Sequence, residues 1–166
     1  GLNSGSKLIL AAYGEKIREL STEIPSILHS LEEFHHPKLV MPGVIALQTK
    51  PFSNYEEAER EMQKLNHQLA QMDLKNIVQI VICDESSFTA ASLNNYLWIT
   101  YTRCNPSHDI YGIGSFYSFK HWGCNGPAVF DARLKPHHAP PVVKDPATEE
   151  KIDDLFRKGS LSSLNL

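Results

Sequence analysis

From Pro42 to Ala132, short apolar runs alternate with longer stretches in which apolar residues return every third or fourth position. Residues 44–47 are a four-residue apolar run after Pro42-Gly43 and predict a strand. Ser53-Asn54-Tyr55-Glu56 then reads as a capping box. Tyr55, Ala58, Met62, Leu65, Leu69 and Met72 follow at steps of three and four, which predicts an amphipathic helix. Residues 76–83 (NIVQIVIC) hold one polar residue inside, Gln79. A strand apolar on both faces belongs in the middle of a covered, largely parallel sheet.

A second helix is expected over 90–103, with Leu93, Leu97, Tyr101 and Cys104 along one face. Thr89 is its expected N-cap and Pro106 its stop. Residues 109–114 read as a third strand, 115–127 as a glycine- and aromatic-rich loop, and 128–132 as a fourth strand. A proline-rich extended linker over 134–144 leads to a last helix. Asp145 caps that helix, Pro146 opens it and Gly159 closes it. Residues 1–42 read as an irregular lead-in with a strand-like run at 8–12 and one short helix near 26–34, where Ile27, Leu28, Leu31 and Phe34 recur.

The expected fold class is α/β: a mixed, largely parallel sheet of about four to five strands flanked by helices, with an irregular N-terminal lead-in. Residues 1–42 are then the lead-in, and 43–166 the α/β domain. Ligands of such sheets sit beyond the carboxyl ends of the strands. That end is expected to carry Asp84-Glu85-Ser86-Ser87 and the loop that starts at Ser115.

Composition narrows the function. The 166 residues, 42% hydrophobic and 21% charged, suit one globular domain. Net charge is −3 with the basic residues scattered, which argues against nucleic acid. The longest apolar runs are too short for a transmembrane segment. No basic start leads into an apolar stretch, and Gly1 reads as a tag remnant. Three cysteines without CxxC spacing, Cys83, Cys104 and Cys124, suit a reducing, cytoplasmic setting rather than a disulfide framework or a four-cysteine zinc site.

Candidate chemistry is thin. Asp84 and Glu85 could serve as acid and base, but neighbours at a strand end point opposite ways, so the plainer reading is that Asp84 satisfies loop amides. Eight histidines invite a metal, yet no HExxH is present, and adjacent pairs such as His35-His36 rarely reach one ion, so no metal site is assigned. Cys124 near His121 has only closeness in sequence to suggest a nucleophile–base pair. GxSxG and the phosphate-binding glycine loops are missing. Asp131 and Arg133 share one strand face and could form an ion pair. Residues 121–141 read either as a proline-stiffened interface strap or as the lining of a cleft completed by another domain, and the two are compatible.

Together these residues resemble the UbiD family, which includes 3-polyprenyl-4-hydroxybenzoate decarboxylase, in its C-terminal domain. The resemblance rests on IVICDES, Leu97-Trp98, Thr102-Arg103, Pro106, Asp109 and Val129-Phe130-Asp131-Ala132-Arg133, with the 135–141 tail KPHHAPP. Arg18-Glu19-Leu20, Ile24-Pro25 and Leu39-Val40-Met41-Pro42-Gly43-Val44 also match. Many members carry three or four acids after the central strand, where this chain has Asp84-Glu85-Ser86-Ser87.

The resemblance implies reversible, non-oxidative decarboxylation of an aromatic or polyprenyl-hydroxybenzoate-type acid in quinone biosynthesis. It implies prenylated FMN, Mn2+ and K+ for the full-length enzyme, held by an upstream flavin-binding domain of the same protein, with none bound by this fragment alone. The cofactor acts as electron sink while carbon dioxide leaves. Catalytic residues are expected outside this fragment, which is then inactive alone and supplies pocket wall and homo-oligomer contacts. By position, Phe116, Tyr117, Phe119, Lys120, His121 and Trp122 are the pocket-lining candidates. Asp84, Arg103, Asp131, Arg133, His137 and His138 are the structural or interface candidates. Two rivals are a stand-alone, non-enzymatic binding or oligomerisation module and a metal-dependent hydrolase using the histidines.

Overall fold

A five-stranded mixed sheet forms the centre of the computed structural model, which describes residues 9, 11, 13–139 and 145–157. Its strands are β1 (His35–Met41), β2 (Val44–Gln48), β3 (Gln79–Cys83), β4 (Ile110–Gly112) and β7 (Ala128–Asp131), in the order β1-β2-β3-β7-β4. β2, β3 and β7 run parallel, and each outer strand pairs antiparallel with its neighbour. β3 is buried at every position, as its two-sided apolar run requires.

Alternation along the strands sorts the core into two layers. Ile45, Leu47, Ile80, Ile82 and Val129 pack with Met62, Leu65 and Leu69 of α1 (Tyr55–Leu69). Val44, Ala46, Val81 and Cys83 pack with Tyr96 and Ile99 of α3 (Leu93–Arg103) on the opposite face. The one polar residue within the central run is satisfied on one side only: the Gln79 side-chain carbonyl accepts the Tyr96 hydroxyl at 2.8 Å, while its amide nitrogen is buried without a hydrogen-bond partner among the described residues. Two compact units are present, Gly1–Pro136 and His137–Leu166, and α4 (Pro146–Arg157) belongs to the second.

Several local expectations change. The capping pattern is filled by Asn54, whose side chain accepts from the Glu57 N–H at 2.9 Å, rather than by Ser53. Thr89 does not cap α3. Its hydroxyl donates back to the Glu85 carbonyl at 2.9 Å within a short helix, α2 (Ser86–Ala90), and Ser92 caps α3 instead. The buried side of α3 is Tyr96, Ile99 and Thr100, so the stripe Leu93, Leu97 and Tyr101 faces outward.

The lead-in is not irregular throughout. Residues 26–34 make only a 3-10 turn at Ser26–Ser30, but Leu28, Leu31 and Phe34 are core, and β1 follows and joins the sheet. Pro42-Gly43 turns β1 into β2 with Gly43 at φ 76°, a conformation glycine adopts without strain. The run at 8–12 falls largely, and the tail beyond 157 wholly, outside the described residues.

The expected loop over 115–127 contains a hairpin of β5 (Ser115–Ser118) and β6 (His121–Cys124). Its location is also a correction. Because β4 runs antiparallel to β7, the chain leaves β4 at the amino end of the parallel strands, where Gly112 pairs with Ala128. The hairpin therefore does not share the carboxyl end of the sheet with Asp84.

Candidate functional site

Two features stand out in the first unit: a buried charge network at the carboxyl end of the sheet, and an exposed aromatic hairpin springing from its amino end.

Arg133 organises the network. It follows β7 and is fully buried. Its Nε and Nη2 donate to the two Asp131 carboxylate oxygens at 2.9 and 2.7 Å, the forked geometry in which arginine binds carboxylate best. Its Nη1 donates to Glu61 at 2.7 Å and to the Lys50 carbonyl at 3.2 Å. Lys50 pairs with Glu61 from the solvent side at 2.9 Å. Burial works against the Arg133 charge, but Asp131 and Glu61 outweigh it and hold the guanidinium protonated.

Lys135 is the second buried cation. Its Nζ donates to the Asp131 carbonyl at 2.8 Å and the Arg103 carbonyl at 3.0 Å, and it pairs with Asp109 at 3.1 Å. The Asp109 carboxylate also accepts from the Asn105 N–H at 2.6 Å. Burial pushes the Asp109 carboxyl up, while the Asn105 N–H and Lys135 pull it back. The Phe52 ring lies against both cations, 5.6 Å from the Arg133 guanidinium carbon and 5.5 Å from the Lys135 ammonium.

Asp84 accepts from Arg103 at 2.9 Å and from the Leu134 N–H at 2.8 Å, so it anchors the chain leaving β7. Glu85 occupies the N-cap position of α2 without a capping bond from its side chain. Chemically, the network closes on itself. Glu61, Asp131 and Asp109 are each matched to Arg133, Lys135 or Lys50, which leaves no free base or nucleophile in it.

Glu61, Lys50 and Asp109 were not singled out from the sequence as network members. One signal was there: Glu61 sits on the buried stripe of α1 between Ala58 and Leu65, where a carboxylate needs a partner.

The pocket-lining candidates all fall on the hairpin. Tyr117 stands opposite Trp122, and Phe116 opposite Gly123, where any side chain would collide with the Phe116 ring. Phe119 and Lys120 form the tip, both with positive φ (48° and 68°). Phe119 is 95% exposed and Tyr117 81%. His121 heads β6, while the Cys124 thiol donates to the Gly126 carbonyl at 3.3 Å. In the second unit the rings of His137 and His138 meet edge-on, 4.4 Å apart. Among the described residues no three His, Cys, Asp or Glu side chains are placed to hold a metal. None of their helices is long and apolar enough to cross a membrane.

This is an α/β domain with a mixed sheet, an ion-paired carboxyl end and an aromatic hairpin. Across 160 residues, 93% of the chain, it is 30% identical to a subunit of the 4-hydroxybenzoate decarboxylase of Chlamydia pneumoniae. The UbiD-family resemblance read from its motifs is thereby borne out. An uncharacterized protein of Chlamydia caviae is 27% identical over 157 residues, 95% of the chain. The chain spans about a quarter (25%) of the length of both curated relatives. No family model matches it.

Among solved structures, the open form of vanillic acid decarboxylase from Sedimentibacter hydroxybenzoicus covers 81% of this chain at 14% identity and a TM-score of 0.45, over 31% of its own length. An evolved dimeric form of the UbiD-class enzyme HmfF from Pelotomaculum thermopropionicum, in complex with prFMN, covers 75% at 13% identity and a TM-score of 0.44, over 26% of its length.

Proposed function

We propose that this chain is the C-terminal α/β part of a carboxy-lyase that decarboxylates an aromatic or polyprenyl-hydroxybenzoate-type acid. In this reading it supplies pocket wall and oligomer contacts, while catalysis and cofactor binding belong to the remainder of the enzyme. The relation to part of a decarboxylase along nearly the whole chain carries the proposal.

The chain's own residues do not fit a flavin–metal site. The buried acids of the network are already matched to basic side chains, and no phosphate-binding glycine loop is present. Prenylated FMN, when bound, supplies the electron sink for loss of carbon dioxide. Mn2+ and K+ belong with it on the upstream flavin-binding domain. The hairpin suits the part of a pocket wall. Two exposed aromatics at or beside its tip, one of them in a left-handed conformation, are costly features for a free surface. Closing over an aromatic acid, they would exclude water and orient the ring.

The test joins this chain to the remainder of a full-length enzyme and follows carbon dioxide release. The joined protein turns over, whereas the 166-residue chain alone neither binds flavin nor releases carbon dioxide. Tyr117→Ala with Phe119→Ala in the joined enzyme raises KM at least tenfold and leaves flavin binding intact. Turnover by the isolated chain, or an unchanged KM, refutes the assignment.

A further inference from the structure

The aromatic residues of the hairpin do not share one face, and the strand pairing sorts them. Side chains directly opposite across an antiparallel pair stand on the same side, and successive residues alternate. Tyr117 pairs with Trp122 and Ser115 with Cys124, which puts these four on one face. Phe116 with Gly123, and Ser118 with His121, make the other.

The two faces are built differently. Phe116 has no ring opposite it and lies down on its own hairpin, since a Cβ at Gly123 would stand 2.8 Å from its Cζ. Trp122 rests instead against the edge of the five-stranded sheet. A Cβ at Gly112, the last residue of β4, would come within 2.8 Å of Trp122 Cζ2 and 2.5 Å of the Cys124 Cβ. Gly112 lies outside the left-handed region, so it is the space taken by Trp122 and Cys124, not backbone strain, that excludes a side chain there. The indole is thus seated on Gly112 and still 41% exposed, beside a Tyr117 that stands free in solvent.

A seated ring next to a free one suits a flat ligand. The seated ring is ordered before binding and gives up little rotamer freedom, while the free one closes on the ligand. Aromatic rings reward a second planar ring beyond the area it buries, and a puckered ring gains only the burial. Residues 110–130 contain no Asp or Glu, so no carboxylate on this segment repels an anionic ligand.

We infer that Tyr117 and Trp122 form the face that meets the ring of the aryl acid, that Trp122 selects for a planar ring, and that Gly112 is the positioning residue that seats it. Phe116 and His121 stand on the far face and take no part in the stacking. The inference rests on the reading of the hairpin as pocket wall, and goes further in assigning the face, the shape of the ligand and a residue of β4.

Inhibition of the joined enzyme by two acids of similar size tests it: benzoate, which is flat, and cyclohexanecarboxylate, which is puckered. Benzoate inhibits wild type roughly three- to tenfold more tightly. Trp122→Leu brings the two inhibition constants together, raises KM for the aryl acid roughly tenfold and leaves kcat and flavin content as they were. Trp122→Phe keeps the preference for benzoate. Gly112→Ala displaces the indole and also lowers the preference, and acrylamide quenching of tryptophan emission in the 166-residue chain reports the displacement. The two Trp122 variants decide the matter should Gly112→Ala misfold. Ser118→Leu, on the far face, leaves the preference unchanged. Equal inhibition of wild type by the two acids overturns the inference. So does a preference lost through Ser118→Leu, or a Trp122→Leu enzyme whose kcat falls while KM holds. A joined enzyme that releases no carbon dioxide sinks the decarboxylase reading and this inference with it. One that turns over with a preference untouched by Trp122→Leu sinks this inference alone.

Discussion

Arg133 donates to three oxygen-bearing partners from a fully buried position, and removing it strands two carboxylates. Lys50 reaches Glu61 from solvent, but nothing replaces the fork on Asp131. Breaking a buried pair from one side costs about 3–5 kcal/mol, because the other charge stays desolvated. Arg133→Gln should lose that much in urea unfolding, whereas Glu61→Gln, which leaves the Asp131 fork whole, should lose clearly less. Equal losses would show that the Asp131 fork adds little beyond the Glu61 pair. Half of this network was legible: Asp131 and Arg133 lie two apart on one strand face, a local relation. The other half was not, since Glu61 is 72 positions from Arg133 and only the fold brings them together.

Among the elements, those with two-sided or strongly periodic burial were readable, namely β2, β3, β7 and α1. β1 was missed because HHPKLVM carries a proline, a lysine and two register shifts, as outer strands do, with one fully buried position. The β5–β6 hairpin was missed because both its strands are largely exposed, so no alternation marks them. Its turn is also unusual. A two-residue hairpin with positive φ at both central positions calls for Asn-Gly, yet Phe119-Lys120 stands there. Left-handed backbone costs such residues roughly 1–2 kcal/mol each. Phe119→Asn with Lys120→Gly should therefore slow hydrogen exchange of the β5–β6 ladder amides by about fivefold, roughly 1 kcal/mol. Unchanged exchange would mean that neighbouring contacts already relieve the turn.

At the scale of the molecule, the α/β class followed from alternation of strands and helices, but strand direction at the two outer positions did not. Three parallel strands flanked by antiparallel ones send the chain after β4 to the opposite end from Asp84, and only the pairing reveals that. The division at 42/43 is open to a direct test. Leu28, Leu31 and Phe34, exposed by 4% or less, belong to the same cluster as Ile45 and Ile80, and β1 covers the outer side of β2. Burying each such side chain is worth about 1.5–3 kcal/mol, so losing three removes an amount comparable to the 5–15 kcal/mol by which a domain is stable. A chain starting at Gly43 should show no cooperative thermal transition. One ending at Pro136 should keep its transition, because neither core cluster holds a residue beyond Ala132. If the shorter N-terminal version melts like the intact chain, residues 13–42 are a lead-in after all, and the sheet stands without β1.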